Sequence, residues 1–287
     1  MKIYINGKFL SRDDAKVSVF DHGLLYGDGA FEGIRSYKKC VFKLQEHIDR
    51  LYETAHTLMI RIPLTKAQMA AAIVATLKKN GISDGYIRVI VTRGEGDLGL
   101  DPRKCYGKPN VIIIADKITL YAKELYNKGM AIITVPTVRN NPEALNPRLK
   151  SLNYLNNILA KIEANNSGYA EAIMLDHQGY VAECTGDNIF IVKHGVLSTP
   201  SQGRLQGITR DTVIALAKSN KVVTQERFIT RHEVYTADEC FLTGTAAEII
   251  PVVKVDGRVI GSGKPGVLTL KMMKMFHELT GESGVKY

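Results

Sequence analysis

With 287 residues the chain can build one large core or two modest ones, and its 45% hydrophobic and 23% charged residues are ordinary for a water-soluble globular protein. The net charge of +9 raises nucleic acid as a partner. However, acids are interspersed throughout, the dense basic runs (Lys78-Lys79 and residues 271–274) are short, and no aromatic residues are interleaved with them. The charge fits a surface that favours anionic metabolites. Cys40, Cys105, Cys184 and Cys240 form no CxxC pair and the seven histidines no HExxH, so neither a disulfide framework nor a metal centre is expected.

The opening MKIYINGKFL lacks the apolar core of a signal peptide. No apolar run approaches the ~20 residues of a membrane span. The expectation is a cytoplasmic protein that binds neither membrane nor nucleic acid. Residues 2–10 predict a strand pair around the turn signal Asn6-Gly7. Residues 17–25 are apolar and strand-like, and lead into Tyr26-Gly27-Asp28-Gly29-Ala30-Phe31-Glu32-Gly33-Ile34-Arg35, whose glycines suit a tight or closely approached backbone. Residues 35–44 predict a hairpin turning at Lys38-Lys39. Helices follow over about 45–59 and 65–80, the second ended by Asn80-Gly81. Residues 86–92 and 111–115 are β-branched strands.

Between those strands Gly94-Glu95-Gly96-Asp97-Leu98-Gly99 matches GxGxxG, with Asp116 downstream. A dinucleotide site needs a helix opening at the last glycine to hold the pyrophosphate. Here Leu100-Asp101-Pro102-Arg103 follows, with Gly107 and Pro109 close behind, so no helix fits. An NAD-binding oxidoreductase is therefore disfavoured. The segment reads as a glycine-rich loop presenting Leu98 and Leu100.

Residues 117–128 have weak periodicity and suit a connection. The expected organisation is a small α/β domain over 1–117, a connection over 118–128 and a larger domain over 129–287. In the second part a strand over 130–135 and a loop over 137–147 precede Lys150. The lysine stands just before Leu152, Leu155, Ile158, Leu159 and Ile162, an apolar pattern of helical spacing. An ammonium entering such a face loses hydration, which lowers its pKa and makes it a candidate amine nucleophile toward an aldehyde. Taken alone, a lysine that reaches back to water is the plainer alternative. Tyr180 to Thr185 then alternates as a strand, placing Glu183 on a largely apolar face where a carboxylate needs a partner. Gly207-Ile208-Thr209-Arg210-Asp211 opens an amphipathic helix. Gly244-Thr245-Ala246-Ala247-Glu248 shows capping-box spacing after a strand. Each reads as a strand-to-helix turn with backbone N–H groups and a threonine hydroxyl, fit for a phosphate, although each alone also reads as an ordinary cap. Gly261-Ser262-Gly263-Lys264-Pro265 lacks P-loop spacing.

Amine, carboxylate and two phosphate-type turns answer the aldehyde, pyridine nitrogen and phosphate of pyridoxal 5′-phosphate (PLP). The order Lys150, then Glu183, Thr185, Asn188 and Phe190 as E-x-T-x-x-N-x-F, then L-x-G-I-T-R from Leu205 to Arg210, then Gly244-Thr245-Ala246 closely resembles the fold-type IV PLP enzymes, the class IV aminotransferases. The link from Thr199 to Leu205 is about two residues shorter than is usual in that family.

The resemblance implies an α/β (α+β) fold with a small N-terminal domain, a larger domain with a barrel-like β core, PLP between them, and a homodimer. It makes Lys150 the Schiff-base lysine and proton shuttle, Glu183 the partner of the pyridine nitrogen and Tyr154 the partner of the phenolic oxygen. Arg50, Leu205, Gly207, Ile208, Thr209, Gly244 and Thr245 complete the implied cofactor site. Without the resemblance Arg50 would pass for a solvated helix residue.

Tyr86-Ile87-Arg88 resembles the Y-x-R strand of branched-chain amino-acid aminotransferases, whose pocket must take both an aliphatic side chain and the γ-carboxylate of glutamate. The resemblance implies Tyr26, Phe31, Leu98 and Leu100 as its apolar wall, with Tyr26 and the leucines supplied by a partner subunit. Thr245 and Ala246 would bind the α-carboxylate, and Arg35 would assist. The function expected is transfer of the amino group from leucine, isoleucine or valine to 2-oxoglutarate. A D-amino-acid aminotransferase or aminodeoxychorismate lyase of the same fold is the near alternative, and a non-catalytic binding protein the distant one.

Overall fold

The structure is a computed structural model that describes residues 1–118 and 120–287. Its chain divides into two units. One comprises Met1–Ile118, Leu149–Asn153 and Thr280–Tyr287; the other comprises Thr119–Arg148 and Tyr154–Leu279. Residues 149–153, Lys150 among them, thus pack with the first unit, although the chain before and after them packs with the second.

The first unit contains β1 (Lys2–Ile5), β2 (Lys8–Ser11), α1 (His22–Tyr26), β3 (Gly29–Tyr37), β4 (Cys40–Phe42), α2 (Leu44–Thr57), α3 (Lys66–Lys79), β5 (Gly85–Thr92) and β6 (Asn110–Asp116). With the C-terminal strand Gly284–Lys286 they form an antiparallel sheet ordered C-terminal strand, β4, β3, β5, β6, β1, β2. Period-two alternation decides its faces. Ile34, Ile87, Val89 and Ile113 point into a core shared with Ile48 and Leu51 of α2 and Met69, Ile73 and Leu77 of α3. Across the other face Phe31, Gly33 and Arg35 of β3 lie opposite Ile90, Arg88 and Tyr86 of β5. Thr65 starts α3 with a full capping box to Gln68.

Residues 17–25, expected as a strand, are instead a loop and the short α1. The Asp21 side chain accepts the Gly23 N–H at the N-terminus, and Gly27 closes the other end at φ 68°. Two strong local caps outweigh a weak apolar run.

The second unit holds α4 (Lys123–Lys128), β7 (Met130–Thr134), α5 (Leu155–Asn166), β8 (Ala172–Leu175), β9 (Val181–Cys184), β10 (Asn188–Lys193), β11 (Val196–Pro200), α6 (Ile208–Ser219), β12 (Thr224–Arg227), α7 (Arg231–Tyr235), β13 (Glu239–Gly244), β14 (Glu248–Val255), β15 (Arg258–Val259) and α8 (Val267–Thr280). Thr119, in the expected connection over 118–128, lies outside the described residues, while α4 occupies that segment's end. A mixed sheet runs β12, β11, β10, β13, β14, β7, β8, β9, with β15 on β14. It curls into a half-barrel around Met130, Ile132, Ile189, Leu242 and Val252. The curl is closed by Val181 N–H donating to the Ile229 carbonyl at 2.8 Å and Cys184 N–H to the Asp187 carbonyl at 2.7 Å. Among the described residues no helix is long and apolar enough to cross a membrane.

Two expectations fail here. Gly244 to Glu248 is the turn of the β13–β14 hairpin, in which Gly244 pairs with Glu248, so it is not a helix start. The spacing of Thr245 and Glu248 mimicked a capping box without a helix behind it. The apolar pattern of α5 does not face the core either: Leu155, Ile158, Leu159 and Ile162 are 47–65% exposed, and Asn157, Ala160 and Ala164 are buried instead. Small residues let this helix approach the sheet closely, leaving the large ones outside.

Beneath the β9–β10 turn the Tyr121 hydroxyl lies 3.2 Å from Glu171 Oε2 and 3.1 Å from Asp187 Oδ2, all three residues being buried. A phenol has one proton to donate, so the second contact needs a proton on a carboxyl group. Burial, with Glu171 adding to it, pushes Asp187 up to about 7 from an ordinary 3.8. The folded chain therefore holds an extra proton between those values, and stability falls as pH rises from about 4 through 7. Asp187→Asn should flatten that decline in thermal melts at pH 5 and pH 8. Parallel losses in both proteins would contradict it.

Candidate functional site

In the first unit, residues 150–152 run along the start of β3 as an added edge. Phe31 N–H donates to the Lys150 carbonyl at 3.0 Å and Leu152 N–H to the Gly29 carbonyl at 2.9 Å, while Ser151 forms an antiparallel bridge with Ala30. Lys150 is thus held by its own backbone in extended chain, five residues before α5 begins, and not at a helix start as expected. Its Nζ lies 4.6 Å from the centroid of the Phe31 ring. The Arg88 guanidinium lies at the same 4.6 Å from that ring and 5.4 Å from the ring of Tyr86. The Tyr86 hydroxyl lies across Gly33, where a Cβ would sit only 2.0 Å from it. That close approach is why position 33 is glycine. Arg35 stacks on Tyr37 at 5.0 Å.

Arg50 is not solvated. Its Nε donates to Glu32 Oε1 at 2.7 Å and its Nη2 to Glu32 Oε2 at 2.9 Å, and His47 Nδ1 lies 2.7 Å from Glu32 Oε2. Glu32 is fully buried. Burial raises its carboxyl, but Arg50 and His47 outweigh that and bring it to about 2 from 4.5. His47 itself is lowered, chiefly by burial.

The glycine-rich loop is as the sequence suggested. Between β5 and β6 the chain forms only the 3₁₀ turn Pro102–Lys104, so GxGxxG has no helix N-terminus behind it. Tyr26 donates its hydroxyl to the Leu98 carbonyl, and His22 Nε2 lies 2.9 Å from the Asp97 carbonyl. Leu98 and Leu100 remain exposed.

In the second unit Glu183 sits on β9 among three donors: Arg139 Nε on Oε1 at 2.8 Å, and Leu205 N–H at 3.0 Å and Asn188 Nδ2 at 3.2 Å on Oε2. Asn188 also donates to the Leu205 carbonyl at 3.1 Å. Its Oδ1 presses so close to Gly207 that a Cβ there would lie 1.9 Å away. One amide thus ties the carboxylate to the N-terminus of α6, where Gly207 is the N-cap and Ile208 and Thr209 open a helix of 12 residues. Gly244 lies against Asp187 in the same manner, a Cβ meeting Oδ1 at 2.0 Å, which fixes the turn carrying Thr245 and Ala246. Tyr154 is half-buried immediately before α5.

The structure therefore brings Lys150, Phe31, Tyr86 and Arg88 together in one unit. In the other it brings together Glu183, Leu205 and Gly207. Leu98 is joined to Tyr26 in a cluster of its own. Glu32, His47 and Arg139 were not found by sequence reasoning. Glu32 lay inside a quoted motif without a role, and Arg139 stands in a loop where no periodicity marks it as buried.

Residues 29–255 match the model of the family described as amino-transferase class IV. The chain belongs to the class IV aminotransferases. As a class IV aminotransferase it is 56% identical over 288 residues to a putative branched-chain-amino-acid aminotransferase of Methanocaldococcus jannaschii, covering 100% of this chain and 99% of that one. The crystal structure of the branched-chain amino acid aminotransferase of Escherichia coli superposes with a TM-score of 0.95 at 35% identity, over 99% and 96% of the two chains. The branched-chain amino acid aminotransferase from Thermobaculum terrenum, crystallised in its PLP form, does so with a TM-score of 0.89 at 29% identity, over 98% and 94%.

The residues of this class IV aminotransferase fit PLP. Glu183 has three donors on a group that offers about four acceptor positions. The α6 N-terminus, behind a glycine where a Cβ would displace the Asn188 amide, suits a phosphate.

Glu32→Ala takes the bidentate carboxylate away from a buried guanidinium, so it should cost about 3–5 kcal/mol in denaturant unfolding at pH 7. The contribution of Glu32 is present above 4.5 and lost as pH falls through about 2. A loss below about 1 kcal/mol would show that the cluster contributes little.

Proposed function

We propose that this chain is a branched-chain L-amino-acid aminotransferase that passes the amino group of leucine, isoleucine or valine to 2-oxoglutarate. The observation that carries this reading is the Phe31 ring with Lys150 Nζ and the Arg88 guanidinium each 4.6 Å from its centroid. An aliphatic side chain needs such an apolar wall, and a glutamate γ-carboxylate needs one cation at its edge. The names borne by the relatives support the same choice.

PLP, when bound, supplies an aldehyde that takes up an amino group and a ring that accepts the electron pair released at the substrate Cα. In this reading Lys150 holds the cofactor covalently between turnovers, and its amine takes the proton from the substrate Cα and returns it. Glu183 holds a proton at the ring nitrogen and Tyr154 orients the phenolic oxygen. Arg50, Leu205, Gly207, Ile208, Thr209, Gly244 and Thr245 hold the phosphate end. Thr245 and Ala246 orient the substrate α-carboxylate, with Arg35 assisting, while Phe31, Tyr86 and Arg88 line the side-chain pocket. We infer a cytoplasmic homodimer in which Tyr26, Leu98 and Leu100 complete the partner's pocket. The exposed Leu98 and Leu100 and the exposed stripe on α5 support it.

The visible band of the PLP-loaded protein should be bleached by L-leucine and restored by 2-oxoglutarate, with D-alanine inert. Bleaching by D-alanine alone would overturn the substrate assignment. Lys150→Ala should abolish the band, and an unchanged spectrum would remove the lysine from the site. Arg88→Met should raise KM for 2-oxoglutarate roughly 10–100-fold while leaving that for 2-oxo-4-methylpentanoate within about threefold. Equal effects on both substrates would remove Arg88 from carboxylate recognition.

A further inference from the structure

Arg139 is the cation closest to Glu183, and it meets its carboxylate differently from the way Arg50 and Arg93 meet theirs. Arg50 closes on Glu32, and Arg93 on Asp28, through two nitrogens on two oxygens. That fork-to-fork geometry commits both carboxylate oxygens to one guanidinium. Arg139 gives Glu183 Nε alone, on Oε1 at 2.8 Å, both side chains being 6% exposed. Its Nη1 goes to Asn156 Oδ1 at 3.1 Å.

Asn156 in turn brackets the arginine. Its Oδ1 accepts the Asn140 N–H at 3.2 Å and its Nδ2 donates to the Val138 carbonyl at 2.8 Å, so the residues on either side of Arg139 are both tied to α5. The Arg139 N–H donates to the Leu175 carbonyl at 2.8 Å. The guanidinium is therefore fixed independently of Glu183, from its own loop, a helix and β8. The second carboxylate oxygen of Glu183 is turned to Leu205 and Asn188. Three protein donors on a group with about four acceptor positions leave capacity for one further N–H.

We propose that Arg139 is a positioning residue for the PLP ring, which aims the remaining acceptor position of Glu183 at the ring nitrogen and lowers the strength with which that carboxylate holds the ring proton. The proposal rests on the assignment of Glu183 as the ring-nitrogen partner. Its physical basis is Coulombic. A carboxylate already neutralised by a fixed guanidinium stabilises a pyridinium less than a lone buried carboxylate does. The ring then keeps its proton in the resting enzyme without being locked in the protonated form. Cys184 and Asp187 are the other titratable groups acting on this carboxylate's surroundings, and they are unchanged in every variant below.

The test is the pH titration of the ring nitrogen in holoenzyme loaded with ¹⁵N-ring-labelled PLP, followed by its nitrogen chemical shift. Arg139→Met should retain the ring proton to a pH higher by about one unit, a tenfold rise in ring-nitrogen basicity. Arg139→Lys, which keeps the charge, should titrate close to the native protein. If Arg139→Met does not fold, Arg139→Gln makes the same neutral comparison with the same expected direction. Glu183→Gln should lose the ring proton at lower pH than the native protein. A shifted Glu183→Gln with an unmoved Arg139→Met would overturn the role of Arg139 alone. An unmoved Glu183→Gln would overturn the assignment of Glu183 and the proposal with it.

Discussion

Two backbone hydrogen bonds set the frame for this protein's chemistry: Phe31 N–H to the Lys150 carbonyl and Leu152 N–H to the Gly29 carbonyl. They make a five-residue excursion of the chain part of the first unit and fix Lys150 to β3. Alternation along β3 does the rest. Phe31 lies under the Lys150 amine, Glu32 turns to the opposite face to anchor Arg50, and Gly33 leaves room for the Tyr86 hydroxyl. Three consecutive residues thus serve a ring beneath two cations, a buried ion cluster and a steric gap. A one-residue slip in register would lose all three together.

The two buried arginine–glutamate pairs differ in what they leave the carboxylate able to do. Glu32 is saturated by Arg50 and His47 and is held far down its titration range. Such a group does not exchange protons in any physiological interval. Glu183 is held by one cation, one amide and one backbone N–H, a set that fixes its direction yet leaves it able to accept one more donor. Asn188 and Asp187, side by side after β9, extend that order to the α6 N-terminus and the Gly244 turn through close approaches that a Cβ at Gly207 or Gly244 would displace.

Much of this was legible in residue order. Thr65 and Asn80-Gly81 bounded α3, Pro102 ruled out a helix behind GxGxxG, and the motif from Glu183 to Arg210 marked the family. What stayed hidden depends on distance in sequence. Arg50 is buried only because Glu32 lies on a neighbouring strand, and Arg139 only because Glu183 does. The α5 stripe misled because periodicity records that a face is apolar, not what covers it. Residues 17–25 misled because caps on a five-residue helix carry more local information than the apolar run between them. The Gly244 segment misled because a hairpin turn and a capping box share the same residue types.

Lys150, held on β3, is the residue we propose to bond the cofactor aldehyde. Borohydride reduction of the PLP-loaded protein followed by proteolysis and mass mapping tests it most directly. The phosphopyridoxyl mass is expected on the peptide containing Lys150, at one equivalent per chain. Label on another lysine, or none at all, would contradict it.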